Sequence, residues 1–500
     1  MIFLFIYIII SHIEKNYSEV KNMGNLIGRE KEINRLNKVL NEKEAQLVII
    51  YGRRRVGKTF LVNQFFENKF DFKFTGAYDR SKQEQLKNFT LELNHQTNQH
   101  NPVPKDWTDA FFMLRSYLEK KDPDEKQIVF FDEMPWMDTQ LSGFLPAFEW
   151  FWNSWGNSRD NLIFVVCGSS TSWLVDNFDH NKGGLFNRST CRIFLNPFNL
   201  YETEKYLNSR DIYWSRYDIT VCYMIMGGIP YYLRLLDREL PLNENIDMIF
   251  FGKRAELWDE FNQLLNTLFK NSEHYIHIVE ALSKIKSGLE RSEIAEATKL
   301  PSNGDLTSML SNLEQSGFIR INARFGNKSR GKTYQLADYF TMFYFRFIRD
   351  NHGKDEHFWS NTTDNPTRNS WQGLTFEQVC KDHISQIKKK LGISGILSTV
   401  SAWSKKGNNT ETGAQIDMLI DRRDHVISLC EDKFSTQQYE ITKEYDGSLK
   451  NKVAVFREST GTKKTIQVVM VTTYGIKPNK YSNYVGRSIQ LDDLFEKEDT

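Results

Sequence analysis

The chain of 500 residues is too long for one hydrophobic core, so its length predicts three or more domains. Its 65 basic and 64 acidic side chains nearly cancel, which excludes a globally basic protein, so any nucleic-acid binding must be local. The 5 cysteines form no C-x-x-C pair, a pattern that argues against a disulfide framework and a zinc site and favours a reduced cytoplasm.

The chain opens with an apolar run over residues 1–10, too short to span a bilayer, which takes roughly 20 apolar residues. The run lacks the basic start and the small-residue cleavage site of a signal peptide. Because Met23 stands just before a well-formed beginning, we interpret residues 1–23 as an over-extended reading-frame start or a disordered leader. A hydrophobic anchor and an additional core strand are the alternatives, and no membrane partner is expected.

A phosphate-binding loop is predicted between a strand-like apolar run at residues 46–50 and a helix-like run at residues 60–66. The motif G-x-x-x-x-G-K-[ST] requires this strand–loop–helix context. Backbone N–H groups of the loop would face phosphate oxygens at a helix N-terminus. Lys58 would neutralise phosphate charge, and the Thr59 hydroxyl would bind Mg²⁺. The predicted nucleotide-binding residues are Gly52, Arg53, Arg54, Arg55, Val56, Gly57, Lys58 and Thr59.

The second half of the nucleotide site is predicted at the end of another uncharged apolar run, at residues 127–131. This run ends in Asp132 and Glu133. Asp132 would hold Mg²⁺ through water, and Glu133 would orient or deprotonate the attacking water, a role that hydrolysis needs and mere nucleotide binding does not. The alternative is that the two carboxylates only cap a strand.

Together with a Gly-Arg-Glu-Lys-Glu opening at Gly28, these motifs resemble the AAA-related P-loop ATPases of prokaryotes, in the branch close to the STAND and MNS groups. The resemblance implies ATP as the nucleotide and places Gly28 and Arg29 near its adenine. It makes Ser169 or Ser170 a sensor of the γ-phosphate or of the attacking water. It also makes Arg188 a candidate arginine finger toward its own nucleotide or a neighbouring subunit of a homo-oligomer, with an ordinary surface arginine as the alternative.

A winged helix-turn-helix is predicted over residues 269–345, after a helical lid at residues 201–268. Three helix-like segments precede two strand-like runs around a Gly-containing loop, the wing. Basic residues without a carboxylate among them predict salt-sensitive phosphate contacts, and therefore DNA as a partner. Protein docking and an internal lever are the alternatives. The basic residues of the wing are Arg320, Arg324, Lys328, Arg330 and Lys332.

A second chemical site is predicted in residues 371–500, after a polar linker at residues 346–370. Glu377 lies in a helix predicted to start at Gly373, and Asp417 lies in a first strand. Glu431 and Lys433 project to the same face of a second strand. Three carboxylates that hold a metal, and a lysine that polarises a phosphate or activates water, are what a Mg²⁺-dependent phosphodiesterase needs.

This arrangement resembles the PD-(D/E)xK restriction-endonuclease-like domain at the C-terminus of a prokaryotic family of such ATPases. The resemblance gives catalytic roles to Glu377, Asp417, Glu431 and Lys433, with Asp417 and Glu431 as the Mg²⁺ ligands. One departure is Gln415, where relatives commonly have a glutamate.

The sequence thus predicts an α/β protein with an AAA-like P-loop core at residues 24–200, a helical lid, a winged helix and a restriction-endonuclease-like C-terminal domain. The predicted function is ATP hydrolysis with Mg²⁺, coupled to DNA binding and to a Mg²⁺-dependent nuclease-like domain, in defence or mobile-element control. The alternative is a nucleotide-controlled switch in which the nuclease fold is an inactive binding platform.

Overall fold

The computed structural model describes residues 26–180, 184–326, 332–407 and 413–498, and the chain divides into two compact units at Asn196 and Pro197. The interpretation of residues 1–23 as a leader lies outside the described part. Among the described helices, none combines the length and the apolar character that a membrane crossing needs.

The N-terminal unit is built on a parallel sheet. Its strands are β1 (Gln46–Tyr51), β2 (Phe72–Thr75), β3 (Gln127–Asp132), β4 (Leu162–Gly168) and β5 (Cys191–Phe194). They lie side by side in the order β2-β3-β4-β1-β5, and every pairing is parallel. Because both faces of such a sheet are covered, its central strands read as uncharged apolar runs. Helices flank it: α1 (Glu30–Asn41), α2 (Lys58–Phe65), α3 (Lys82–Thr97), α4 (Trp107–Leu118), α5 (Phe144–Ser154) and α6 (Thr171–Val175).

Aromatic packing fixes these helices on the sheet. Phe111 of α4 stacks on Phe131 of β3 with ring centroids 5.9 Å apart, and Trp107 packs edge-on against Phe144 at 4.9 Å. All four side chains are fully buried. In a parallel sheet the carboxyl ends of the strands share one edge, so the segments after β1, β3 and β4 meet there.

The C-terminal unit begins with helices and continues with a three-helix segment and a two-stranded antiparallel ribbon. The first helices are α7 (Leu200–Asn208), α8 (Arg216–Met226), α9 (Pro230–Leu233), α10 (Leu242–Ile246) and α11 (Glu260–Leu268). The segment that follows, here the helix–ribbon segment, comprises α12 (Ser272–Ser283), α13 (Arg291–Thr298), α14 (Gly304–Gln315), β6 (Ile319–Asn322) and β7 (Thr333–Leu336).

A mixed five-stranded sheet completes the C-terminal unit. Among the helices that precede it are α15 (Tyr339–Phe343), α16 (Arg349–Asn351), α17 (Phe358–Asn361) and α18 (Pro366–Asp382). The remaining elements are α19 (Ile384–Lys390), β8 (Ser398–Lys405), β9 (Ala414–Arg422), β10 (Val426–Lys433), β11 (Tyr439–Glu440), α20 (Lys443–Thr460), β12 (Thr465–Thr472), β13 (Ile476–Lys477), β14 (Arg487–Gln490) and α21 (Leu491–Leu494). The sheet order is β14-β12-β10-β9-β8; β9 is antiparallel to both neighbours, whereas β12 is parallel to β10 and to β14.

The structure differs from the sequence predictions at the segment before the sheet. Gly373 lies inside α18 and does not start it, because Pro366 occupies the first turn and the Asn365 side chain caps the helix by accepting from the Thr367 amide. The segment predicted to be a linker contains a fully buried Trp359, whose amide donates to the Asp247 carboxylate at 2.7 Å. This segment is therefore packed into its unit, and the other domain boundaries stay predictions.

Candidate functional site

The phosphate-binding loop joins β1 to α2 and is shaped by its first glycine. Gly52 has φ 140°, and a side-chain carbon there would lie 2.5 Å from the Leu195 carbonyl oxygen, so only glycine fits. The Lys58 ammonium is buried and donates to the carbonyl oxygens of Gly52 and Arg53, both at 2.9 Å. Burial lowers the pKa of Lys58, although nearby Glu133 and Asp132 oppose that shift. The loop thus holds the Lys58 ammonium where phosphate would bind.

Oxygen ligands suited to Mg²⁺ meet beside this lysine. The Thr59 hydroxyl donates to the Asp132 carboxylate at 2.8 Å, which joins the start of α2 to the end of β3. Burial, and then the adjacent Glu133, raise the pKa of Asp132. A hydroxyl and a carboxylate at this distance are hard oxygen donors of the kind that Mg²⁺ takes from proteins. The pair therefore fits the metal that the sequence predicts there.

Glu133 is held by Ser169, the first residue after the neighbouring strand β4. Its backbone has φ 47°, a strained value for a side-chain-bearing residue. Its carboxylate accepts the Ser169 hydroxyl at 2.5 Å and the Ser169 amide at 2.9 Å. Ser169, rather than Ser170, is thus the residue after β4 that contacts the carboxylate proposed to act on water.

Arg29 contacts the phosphate-binding loop through backbone acceptors. It is buried, with φ 65°, and donates to the Val56 carbonyl at 3.2 Å and to the Asn196 carbonyl at 2.7 Å. Gly28 precedes it with φ 70°. Arg188 is exposed and donates to the Gly184 carbonyl at 3.4 Å. Its role as an arginine finger stays a prediction.

In the C-terminal unit, two predicted carboxylates lie where β9 and β10 stop pairing. The antiparallel register ends with Cys430 opposite Met418, so the next pair in that register is Glu431 and Asp417. Directly opposed residues of an antiparallel pair point to the same face of the sheet. Lys433, two residues beyond Glu431, points to that face as well.

Glu377 of α18 and Asp417 of β9 share one cation, the ammonium of Lys286. The nitrogen lies 2.9 Å from the Glu377 carboxylate and 3.5 Å from Asp417 Oδ2. Burial and then Asp417 raise the pKa of Glu377. Burial also acts to raise the pKa of Asp417, but Lys286 and the Gln415 side chain, which donates at 2.6 Å, outweigh it and lower that pKa.

Glu431 has partners of its own on α20. Its carboxylate accepts the Lys452 ammonium at 2.6 Å and the Tyr445 hydroxyl at 3.0 Å. The Lys433 ammonium lies 5.0 Å from the centre of the Tyr445 ring. Among the described residues, no three His, Cys, Asp or Glu side chains surround one metal position. In this arrangement different lysines hold the two carboxylates, Lys286 at Asp417 and Lys452 at Glu431. The shared Mg²⁺ site expected of Asp417 and Glu431 stays a prediction.

Several side chains of this C-terminal site were not singled out in the sequence. Tyr445 and Lys452 are seven residues apart on one helix, a spacing that places both on the same face. That spacing was a usable signal. Lys286 lies 91 residues from Glu377 in the chain and carried no local signal.

The basic residues predicted for the wing also have partners. Arg320 donates to Asp382 at 2.8 Å, and Arg324 lies 3.3 Å from Glu290. Arg320 and Arg324 are therefore each paired with a carboxylate, and their contact with phosphate stays a prediction. Lys332 is exposed, whereas Lys328 and Arg330 lie outside the described residues.

Comparisons with known proteins agree with the N-terminal site. A family model described as an ATPase domain predominantly from Archaea matches residues 26–236. The protein MJECL04 of Methanocaldococcus jannaschii is 24% identical over 389 residues, which cover 77% of this chain and 83% of that protein. The ATP-binding protein MJ0423 of the same organism is 51% identical over 43 residues, 9% of this chain and 73% of that protein.

A solved structure, the Walker-type ATPase PABY2304 of Pyrococcus abyssi, aligns with a TM-score of 0.46 and 19% identity over 64% of this chain and 96% of that one. The family model spans the phosphate-binding loop, the Asp132–Glu133 pair and Ser169. Residues 26–236 are therefore an ATPase domain of this predominantly archaeal family.

Proposed function

We propose that this protein binds and hydrolyses ATP with Mg²⁺, and that this activity controls a DNA-directed, Mg²⁺-dependent nuclease-like domain in its C-terminal unit. One observation carries the ATPase proposal. The Thr59 hydroxyl meets the Asp132 carboxylate at 2.8 Å, and the next residue, Glu133, places a second carboxylate at the same sheet edge. One carboxylate is thus available for metal and another for water.

The residues divide the chemistry of hydrolysis among them. Lys58 would neutralise charge on the phosphates, and Thr59 with Asp132 would hold Mg²⁺, which when bound neutralises the charge that develops on the phosphoryl oxygens. Glu133 would align the attacking water and accept its proton. The Ser169 hydroxyl and amide orient the Glu133 carboxylate by donating to its two oxygens.

Two substitutions separate binding from hydrolysis. Lys58→Ala should abolish binding of a fluorescent ATP analogue, because it removes the buried ammonium that would neutralise the phosphates. Glu133→Gln should bind the analogue yet lose turnover by about a hundredfold or more, the upper range of general-base effects. The control is Glu125→Gln, the same substitution at an exposed glutamate shortly before β3, and this variant should hydrolyse ATP normally. Equal ATPase rates in Glu133→Gln and wild type would refute the assignment.

The nuclease-like assignment is supported by the convergence of a helix carboxylate and a strand carboxylate on one cation. Lys286 lies within 3.5 Å of both Glu377 and Asp417, so a positive charge already occupies the point between them. If the Lys286 ammonium moves away, Glu377 and Asp417 would hold Mg²⁺ in its place. Glu431 lies opposite Asp417 in the strand register. Lys433 would polarise a phosphate oxygen of the bound DNA.

Cleavage is tested with single- and double-stranded DNA, Mg²⁺ or Mn²⁺, and with or without ATP. Asp417→Asn should eliminate metal-dependent cleavage and leave ATP turnover intact. Lys433→Ala should lower cleavage by on the order of a hundredfold, the usual effect of removing one donor from a developing oxyanion. The control is Asp421→Asn on the same strand, whose carboxylate pairs with Lys464 instead. If Asp417→Asn cuts as well as wild type, the nuclease assignment fails.

A second candidate function is a nucleotide-controlled switch in which the proposed winged helix acts as a lever rather than as a DNA reader. The observation that favours it concerns α14, the third helix of the helix–ribbon segment. This helix carries Asp305 and Glu314 but no lysine or arginine, whereas a helix that enters a DNA groove ordinarily presents basic side chains to phosphates. Slow turnover with ADP or ATP still bound after gel filtration, and no DNA binding, would favour this function.

A further inference from the structure

The Lys286 ammonium occupies the point between Glu377 and Asp417, although it comes from another part of the C-terminal unit. Lys286 lies in the turn between α12 and α13, not in the sheet that carries Asp417. Its side chain is 36% exposed, and those of Glu377 and Asp417 are 16% and 28% exposed. The two carboxylates are therefore partly buried and share one cation, and removing that cation would leave both of them without a counter-charge.

The turn that carries Lys286 is fixed to the ribbon of its own segment. The Lys286 carbonyl accepts from the Gln335 side chain at 2.7 Å. Leu289 and Tyr334 exchange two backbone hydrogen bonds, at 2.9 and 2.8 Å. Gly288 has φ 77°, and a side-chain carbon there would lie 2.5 Å from the Tyr334 carbonyl oxygen. The position of Lys286 is thus tied to that of β7.

The ribbon in turn pairs with the edge of the C-terminal sheet. Ala402 of β8 donates to the Ala323 carbonyl at 3.2 Å and accepts the Phe325 amide at 3.0 Å. The Phe325 ring packs against Phe456 of α20 with centroids 5.0 Å apart. Strand β8 is the direct neighbour of β9, the strand of Asp417. The helix–ribbon segment and the carboxylates are therefore docked together, and Lys286 reaches the carboxylates from the docked segment.

We propose that Lys286 is an interlock: while the helix–ribbon segment is docked on the C-terminal sheet, its ammonium excludes divalent metal from Glu377 and Asp417, and the site binds metal only after Lys286 withdraws. This inference rests on the proposed nuclease-like function and names the regulation of that site. A divalent cation and an ammonium compete for two carboxylates at these distances, since both are attracted to the same oxygens and repel each other.

The bonds between the segment and the sheet define what withdrawal requires. Movement of β6 and β7 away from β8 would break the two backbone hydrogen bonds of Ala402 and separate the rings of Phe325 and Phe456. Arg320 of β6 would lose its ion pair with Asp382 of α18, the helix that carries Glu377. These interactions are concentrated at one sheet edge and beside the site itself, so a movement of the ribbon would break them together and carry Lys286 with it.

Metal binding by the full-length protein, without nucleotide or DNA, tests the interlock apart from nuclease activity. Lys286→Met removes the charge and keeps the aliphatic chain. We expect it to bind Mn²⁺ about tenfold tighter than wild type or better, since one adjacent charge changes cation affinity at a carboxylate by at least that factor. Isothermal titration calorimetry or the Mn²⁺ electron paramagnetic resonance signal measures the change.

Three variants make the result specific. Lys286→Arg retains the charge and should bind Mn²⁺ like wild type. Lys284→Met, in the same turn, removes an exposed lysine that pairs with Glu280 and should also bind like wild type. Adding Asp417→Asn to Lys286→Met should remove the gain, because the new affinity belongs to the released carboxylates. Far-ultraviolet circular dichroism confirms that each variant is folded, and Lys286→Gln replaces Lys286→Met if the latter does not fold.

The outcomes separate the interlock from the nuclease proposal. A gain in Mn²⁺ affinity that needs Asp417 supports the interlock, whether or not DNA is cut. If that gain occurs and no variant cuts DNA, the nuclease proposal fails and the interlock stands as a metal gate. Equal Mn²⁺ affinities in Lys286→Met and wild type overturn the interlock. The interlock is also overturned if the wild-type protein cleaves DNA at the same rate as the Lys286→Met variant.

Discussion

Replacing Arg29 with methionine should weaken the N-terminal unit by an amount that its hydrogen bonds define. Its guanidinium donates to the carbonyls of Val56 and Asn196. Val56 is 1% exposed, so its carbonyl loses a charged donor that water does not replace, at about 1.5–3 kcal/mol. Asn196 is exposed, and water can serve its carbonyl. We therefore expect a total loss of about 2–3 kcal/mol in the free energy of unfolding.

For a unit of this size, each kcal/mol lowers the melting temperature by about 2–4 °C, so the expected fall is about 4–12 °C. Calorimetry of the full chain measures this fall in melting temperature. The unfolding transition of the N-terminal unit is the one whose melting temperature rises when ATP is added, because a ligand stabilises the unit that binds it. Lys38→Met, an exposed change in the last turn of α1, is the control and should melt like wild type.

The same variant distinguishes two roles for Arg29 in nucleotide binding. Its hydrogen bond to Val56 reaches the backbone of the phosphate-binding loop. Arg29→Met should therefore lower the affinity for ATP and the affinity for inorganic triphosphate by the same factor. If Arg29 instead contacts adenine, as the family resemblance implied, its replacement should weaken the binding of ATP but not that of inorganic triphosphate. A normal melting temperature combined with a loss confined to ATP would refute the loop-positioning role.

Three further predictions concern the sensor, a buried histidine and the wing. Ser169→Ala should lower the ATP turnover rate by on the order of tenfold with little change in KM, because it removes a charge-assisted hydrogen bond of about 1.5 kcal/mol or more; Ser170→Ala should not. Burial lowers the pKa of His383, whose Nε2 accepts the Leu200 amide at 3.0 Å, so stability present above pH 6.5 should be lost as the pH falls below it. Melting curves of His383→Gln should show a shallower pH dependence there. If the wing binds phosphates, neutralising Arg324, Lys328 and Arg330 together should flatten the plot of log DNA affinity against log salt. The expected change in slope is about one unit for each phosphate that is no longer neutralised, measured by fluorescence anisotropy.

Local sequence pattern was sufficient to predict which segments meet at the candidate nucleotide site. The loop at Gly52, the carboxylates after β3 and the serines after β4 each follow a buried strand directly, and parallel strands bring their carboxyl ends to one edge. The partners of those residues were harder to predict. Arg29 binds backbone carbonyls, which every residue carries, so no side-chain pattern marks the acceptors.

The C-terminal site shows the same limit more strongly. The strand alternation placed Glu431 and Lys433 on one face, and the register supports placing Asp417 opposite Glu431. The lysines that hold these carboxylates come from a turn and a helix outside the predicted motif. Lys286 lies 131 residues from Asp417 in the chain, and only the docking of the ribbon on β8 brings them together. Such proximity follows from tertiary packing, and the periodic pattern of apolar residues along the sequence does not predict it.

At both sites, oxygen atoms of the same unit accept hydrogen bonds from a lysine and compensate its charge. Lys58 donates to two carbonyls of its own loop, and Lys286 to two carboxylates. A buried or half-buried ammonium without such partners would cost several kcal/mol, so ligand binding at either site is an exchange of partners rather than a simple addition. At the loop, phosphate oxygens would replace carbonyls and keep the lysine in place, because they carry the opposite charge. At the C-terminal site the incoming metal carries the same charge as the lysine, so the lysine must leave. The sign of the ligand thus makes Lys58 a binding residue and Lys286 an obstacle, and it is the reason that the same substitution, lysine to an uncharged residue, should weaken one site and strengthen the other.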